Sequence, residues 1–442
     1  MVSANNLCLD VLDLIFSNLF AYDLCAVSLV SHSFFDAAIP HLYHTLFYRR
    51  GQAKRFKYIM SPFAIVLTHP EYSVHVRVIE TDVRSVPAAK GKVHPCFVRE
   101  LENALKMCNN LRSLTCTISR TSRNILTSVS QQENKKYLQE IRISADNFSS
   151  TEANSLLNFT SIKSLSLAWG SWSILNTLPD WSRKIRETLT RLTFFTCFSL
   201  NETILESILC QLSHLSALHV LRCPKISSSS VLRLTKYTPA LHSLSLDIAD
   251  SVPSTLMPSS LPFLRQLCLN ICCTDDQYQR TLAFVLSYFR AMRPPLSDIC
   301  IYGKTTLRYS STVELLHDYR DCLQKFVCHS PLETPCIDAI CGSCPNLEEL
   351  AIPIPMQEFS TLAAGIRRLG VLKTLRDTRV NLELRLTRDK VTHLMGICRR
   401  LQCVISGDRI WTLYVDARGN QEIGLGDHRT DDSLWLAPTY CI

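Results

Sequence analysis

The sequence predicts an α/β solenoid of short parallel strands and intervening helices, preceded by a separate helical unit. Three observations predict it: a recurring leucine triplet, the regularity of its spacing, and a different rhythm over residues 7–48. The triplet L-x-x-L-x-L is clearest in Pro239 to Ile248, where Leu241, Leu244 and Leu246 hold the register. It starts again at Leu111, Leu138, Ile162, Leu189, Leu215, Leu264, Leu296, Leu323 and Leu347, with weaker forms at Leu372 and Leu401. These starts lie about 26 residues apart, inside the roughly 20–29-residue period of leucine-rich solenoids. Because 46% of the chain is apolar, one triplet means little and the spacing carries the signal.

In chain order, residues 7–48 come first. Leu9, Leu12, Phe16 and Leu19 line one face of a helix, and Val11, Leu14 and Ile15 line another. A unit this small cannot hide both faces, so one is offered to a partner. Asp23 opens a second helix carrying Leu24, Val27, Val30 and Phe34. Pro40 is expected to end a third, and Leu42, Tyr43, Leu46 and Phe47 close the unit.

These residues resemble an F-box. The family pattern L-P-x-E-L-L-x-x-I-F is met by Leu7 to Phe16, D-L-x-x-L-S-x-V-C-K-x-W by Asp23 to Phe34, and L-W-x-x-L by Leu42 to Leu46. Cys8, Phe34 and Tyr43 replace the usual Pro, Trp and Trp. The resemblance implies that Leu7, Cys8, Leu12, Ile15, Phe16, Leu24, Val27, Val30 and Phe34 meet a Skp-family adaptor, itself held in a cullin complex.

Residues 49–75 read as a linker or helical bridge, with the basic run Arg49 to Lys57 as its solvated start. The solenoid is expected over 76–406, its parallel sheet on the concave side and its helices on the convex side. His75 to Val83 supplies a first, degenerate strand with Val76 and Ile79 in register, and Pro87 to Pro95 reads as a loop. Glu202 to Gln211 and Ser228 to Lys236 have helical spacing, and Pro239, Pro262, Pro295 and Pro345 stop helices before strands. The longest interval, Leu264 to Leu296, calls for a lengthened helix over Thr281 to Met292. Asp377 and Ser406 take third-leucine positions, where the pattern frays. Over 407–442, Ile410 to Val415, a turn at 416–420 and Glu422-Ile423 signal a hairpin that caps the last repeat.

Composition narrows the function. Charged residues are 19%, Gly is scarce at 12, and no low-complexity tract occurs, so most of the 442 residues fold. The net charge of +8 is mild and reads as spread along the chain, against a dedicated nucleic-acid protein. Asp10, Asp13 and Asp23 interrupt the N-terminal apolar stretch, so it is not a signal peptide. No apolar run reaches about 18 residues, so no membrane span is expected. Many of the 20 cysteines occupy Leu or Asn positions of the repeat, which suits reduced thiols in the cytoplasm or nucleus. Cys197, Cys223 and Cys272 hold the ninth repeat position, where the chain turns off the strand into the core.

No phosphate-binding loop, dinucleotide fingerprint, zinc-protease helix or nucleophile elbow is present. Cys336, Cys341 and Cys344 lack the second pair that a zinc site needs, and His214, His219 and His242 are scattered among repeats. No catalytic residue and no cofactor are expected. The F-box resemblance then implies a substrate receptor of an SCF-type ubiquitin ligase, with a protein substrate on the repeats. A repeat scaffold acting outside any ligase is the alternative. Within the triplet the last x points away from the leucine core. In that column Cys268, Cys300, Val327 and Ala351 form an apolar strip beside Glu348 and Glu349, the expected substrate site, whereas Thr115, Arg142, Ser166, Thr193, His219 and Ser245 precede it as a polar run.

Overall fold

Leucines at a fixed period can be buried only by stacking one repeat on the next. A computed structural model describes residues 8–19, 21–47, 61–81, 88–89, 92–93, 95–117, 125–126, 129–130, 137–249, 261–272, 278–379, 385–407, 409–415 and 421–427. Every triplet start from Leu111 to Leu401 is at most 2% exposed in it. The chain forms two compact units, Met1–Leu200 and Asn201–Ile442.

The first unit opens with α1 (Leu9–Phe16), α2 (Ala21–Val27) and α3 (His32–Leu42). Pro40 does not end α3 but lies in its last turn. Strand Thr45–Phe47 leaves α3 at once and pairs in parallel with Val78–Thr81. Ser113–Cys116, Glu140–Ser144, Ser164–Ala168 and Arg191–Phe195 follow, each parallel to its predecessor. The sheet therefore begins at Thr45, ahead of the expected 76, because Leu46 buries itself as a repeat leucine would. The bridge is not a bare linker either: helix Pro62–Thr68 inserts Phe63 and Val66 completely, and Phe63 meets Phe97 edge to face at 5.4 Å. The segment read as a loop holds a small antiparallel pair, Ala88–Ala89 with Lys92–Val93. The basic run 49–57 lies outside the described residues.

Helices Pro95–Met107, Ser150–Ser155 and Trp172–Ile185 pack between strands of this unit. Ser149 and Glu152 close a reciprocal capping box on the second. The third carries Trp181 fully buried, its indole donating to the Phe159 carbonyl at 2.8 Å.

The second unit repeats the device with strands Ala217–Leu221, Ser243–Ile248, Gln266–Ile271, Asp298–Gly303, Lys325–Cys328, Glu349–Ile352, Thr374–Asp377 and Cys403–Ser406, all parallel. Helices Glu202–Leu209 and Ser228–Leu234 fall where the spacing placed them, started by the caps Asn201 and Ser227. The long interval holds helix Tyr278–Met292. Strand Arg409–Val415 then pairs antiparallel with the last parallel strand, and Gln421–Asp427 pairs antiparallel with it in turn. This hairpin occupies an edge that would otherwise leave its hydrogen-bonding groups open; its turn, 416–420, lies outside the described residues.

Asp377 and Ser406 show how polar residues replace leucine. The Asp377 carboxylate accepts from Arg379 Nε and Nη2 at 2.9 and 2.6 Å, from the Ile354 amide at 3.3 Å and from Ser406 Oγ at 3.2 Å. Each buried polar atom in that knot has a partner, which is the condition for burying it at all.

Candidate functional site

The apolar residues of α1, α2 and α3 divide into two sets. Leu12, Phe16, Leu24, Ala37 and Ala38 form a closed core, with Leu19, Val27, Phe34 and Leu42 packed against it. Phe34, which stands in a Trp position of the pattern, meets Phe16 edge to face at 5.4 Å. Asp13 and His41 join α1 to α3 at 2.8 Å, and Ser31 caps α3 by accepting from the Phe34 amide. Tyr43, in the second Trp position, stacks on Tyr72 with centroids 4.5 Å apart, and burial together with Tyr72 pushes its hydroxyl pKa up.

The second set is left outside. Leu9, Val11, Leu14, Ile15, Tyr22, Leu29, Val30 and Phe35 are exposed, with Leu14 at 68%, Tyr22 at 81% and Leu29 at 87%. A stable unit with a complete core of its own has no internal use for so many large apolar side chains in water.

The expected adaptor residues therefore separate. Cys8, Ile15 and Val30 lie on the exposed face, and Val27 and Phe34 are half-buried. Leu12, Phe16 and Leu24 are core residues with 5% or less of their surface free, so they support the face rather than form it. Leu7 lies outside the described residues. Leu9, Leu14, Tyr22 and Leu29 are exposed as well; helical spacing shows that two faces are apolar but not which one the unit itself covers.

The strip expected to hold substrate is also corrected. Cys268, Cys300 and Ala351 are fully buried and Val327 is 4% exposed. They align strand to strand, Cys268 with Cys300, Cys300 with Val327, and Val327 with Ala351. Longer residues overhang them on both sides. Gln266 bonds Asp298 at 3.0 Å, and Lys325 pairs with Glu349 at 2.8 Å. On the other side Tyr302 stacks flat on His329 at 4.5 Å. Glu348 is taken up by Lys373 at 2.7 Å. A small side chain between larger neighbours is shadowed even on the face that points away from the core, so this strip offers no open anchor.

Among the cysteines, Cys197 and Cys223 are buried as expected, and Cys197 Sγ accepts from the Gly170 amide at 3.3 Å. Cys272 is exposed instead, beside Asn270 and Asp247. Burial raises the thiol pKa of Cys336, and those of Cys341 and Cys344 to about 12. Among the described residues no group of three His, Cys, Asp or Glu is placed to hold a metal ion, and no helix is long and apolar enough to cross a membrane.

Together these features define a class: an F-box-like helical domain followed by a long, mostly parallel sheet with helices, a leucine-rich-repeat-like solenoid. The F-box-like family model matches residues 6–49. Among solved structures, the chain is similar to the crystal structure of the Rad7 and Elc1 complex in yeast, at 17% identity and a TM-score of 0.41 over 84% of this chain and 88% of that one. No curated protein matches the sequence.

Proposed function

We propose that the protein is a substrate receptor of an SCF-type cullin ubiquitin ligase, working in the cytoplasm or nucleus. The exposed apolar face of α1 to α3 binds a Skp-type adaptor, and the repeats bind a substrate protein. The observation that supports this is a three-helix F-box-like domain that completes its own core and still presents Leu14, Ile15, Tyr22, Leu29 and Val30 to solvent. The receptor needs no catalytic residue: tethering raises the local concentration of substrate lysines near a charged conjugating enzyme.

Co-expression with Skp-type and elongin-type adaptors, followed by affinity capture, tests the proposal. The Ile15→Asp/Leu29→Asp protein should lose adaptor affinity by about 100-fold or more, since charge enters a desolvated contact, while its unfolding curve stays put. Leu12→Asp should instead unfold the domain. Capture of the double variant at wild-type strength, or of neither adaptor by the wild type, would leave a repeat scaffold outside any ligase.

A further inference from the structure

Charge is not evenly distributed: residues 1–200 hold 22 Lys and Arg against 15 Asp and Glu, whereas residues 201–442 hold 25 against 24. That excess falls outside the described side chains of the first unit, which number 10 Lys and Arg against 13 Asp and Glu, but four of those basic residues gather along its sheet. Arg112, Arg142, Lys163 and Arg191 are all exposed, and none has an acidic partner among the described residues. Lys163 and Arg191 belong to neighbouring strand starts, tied by the Arg191 amide to the Lys163 carbonyl at 3.0 Å. Arg142 lies in register with Ser166, which aligns with Thr193. Ser166 is 6% exposed, and its Oγ has no hydrogen-bond partner. An orphaned buried hydroxyl beside exposed guanidinium groups is a place where an anion gains both charge and a donor.

At the other end of the same strands lies an aromatic cluster. Trp169, Trp172 and Phe198 are 48%, 57% and 54% exposed, and the Trp169 and Phe198 rings are 5.6 Å apart. Trp169 has φ +57, a left-handed conformation that a bulky side chain rarely takes. Thr196 and Arg222 take it too, each directly after its own strand in the next two repeats, so this is how the chain leaves the strand here. At that turn Trp169 lays a large ring, half exposed, beside the half-exposed ring of Phe198, and an open aromatic pair is a natural anchor for an apolar partner residue.

We propose that this face is a bipartite docking site for an extended protein segment carrying an acidic cluster followed by an apolar or aromatic residue. The acidic groups bind Arg142, Lys163 and Arg191, and the apolar residue covers Trp169 and Phe198. The strand length between the two ends is about 15 Å, so the two features stand some four or five extended residues apart. Glu140, aligned through Ser164 with Arg191, interrupts the basic strip. That break disfavours a continuous phosphate backbone and suits discrete side-chain carboxylates. This assignment names the substrate class for the receptor proposed above and rests on that reading.

The test uses the full chain with its adaptor and fluorescent peptides. Each peptide carries an Asp-Asp-Glu cluster and a Phe-Leu pair, separated by none to about eight Gly or Ser residues. Affinity should peak at a spacer of about four or five and fall at high salt. Arg142→Glu/Arg191→Glu should weaken binding about tenfold or more, and so should Trp169→Asn, whose new side chain tolerates the backbone conformation. Equal affinity at all spacers, equal binding of a lysine-for-acid peptide, no binding, or tighter binding of a single-stranded RNA would overturn the site. Ile15→Asp/Leu29→Asp should bind the peptides normally. Peptide binding without adaptor capture would sink the ligase reading alone, and adaptor capture without peptide binding would sink this site alone.

Discussion

The sheet faces turned away from the leucine core differ between the two units, although the same triplet builds both. In the first, Arg142 and Arg191 stand exposed with no acidic partner among the described residues, and Trp169 and Phe198 lie half open at the strand ends. In the second, the equivalent column runs from His219 and Ser245 through Cys268 and Cys300 to Ala351 and is closed along its length. His219 and Ser245 bond each other at 2.8 Å, and the flanking charges are paired as Lys325–Glu349 and Lys373–Glu348. The difference teaches that repeat register decides which side a residue faces, while the size and charge of its neighbours decide whether that side is available. A column of small residues shadowed by satisfied polar ones is structural; exposed, unpaired charges beside open aromatics are free to bind.

The largest expected effect comes from putting the same charge into both columns. Val327→Glu places a carboxylate between Cys300 and Ala351, both fully buried, and should destabilise the protein by about 3 kcal/mol or more. Arg142→Glu, at the exposed position of the same column, should stay within about 0.5 kcal/mol. Urea unfolding of both variants decides, and equal losses would erase the distinction between the faces.

Next in size is the Asp377 knot, whose carboxylate is 4% exposed. Asp377→Ala strands the Arg379 guanidinium, itself 15% exposed, and should cost about 3 kcal/mol, part of which Asp377→Ala/Arg379→Met should recover. Should the double variant be no better than the single one, the cost lies in the lost amide and hydroxyl contacts rather than in the stranded charge.

The smallest is a pH effect on the second face. Burial first, and the charge of Arg376 second, push the His329 imidazole from its ordinary 6.5 down to about 4. Between those values the unfolded chain binds a proton that the folded imidazole does not. Stability should therefore fall as pH drops from about 6.5 to about 4, and this group adds nothing further below that. Asp247 and Asp298, raised by burial, act in the opposite direction just above 3.8, because their folded carboxyls hold protons more tightly than the unfolded ones. His329→Phe keeps a ring against Tyr302 and removes the titration, so subtracting the two stability–pH curves isolates the histidine. Parallel curves for wild type and variant would mean that His329 is open to water.

The sequence by itself determined the repeat period, the place of every triplet start, the signal for the terminal hairpin and the F-box-like frame. Each of those follows from apolar periodicity along the chain, and in a solenoid a residue's stacking partners recur at the repeat period. Only the tertiary structure decided that Leu12, Phe16 and Leu24 close the helical core while Leu14 and Leu29 stay outside. The same holds for the closure of Cys268 to Ala351 and for the half-open Trp169 at the far end of the strands from Lys163 and Arg191. Periodicity assigns a side chain to a face. Its exposure depends on what overhangs it from strands one repeat away and on where the backbone turns after each strand, and both are set by packing between repeats rather than by the pattern within one.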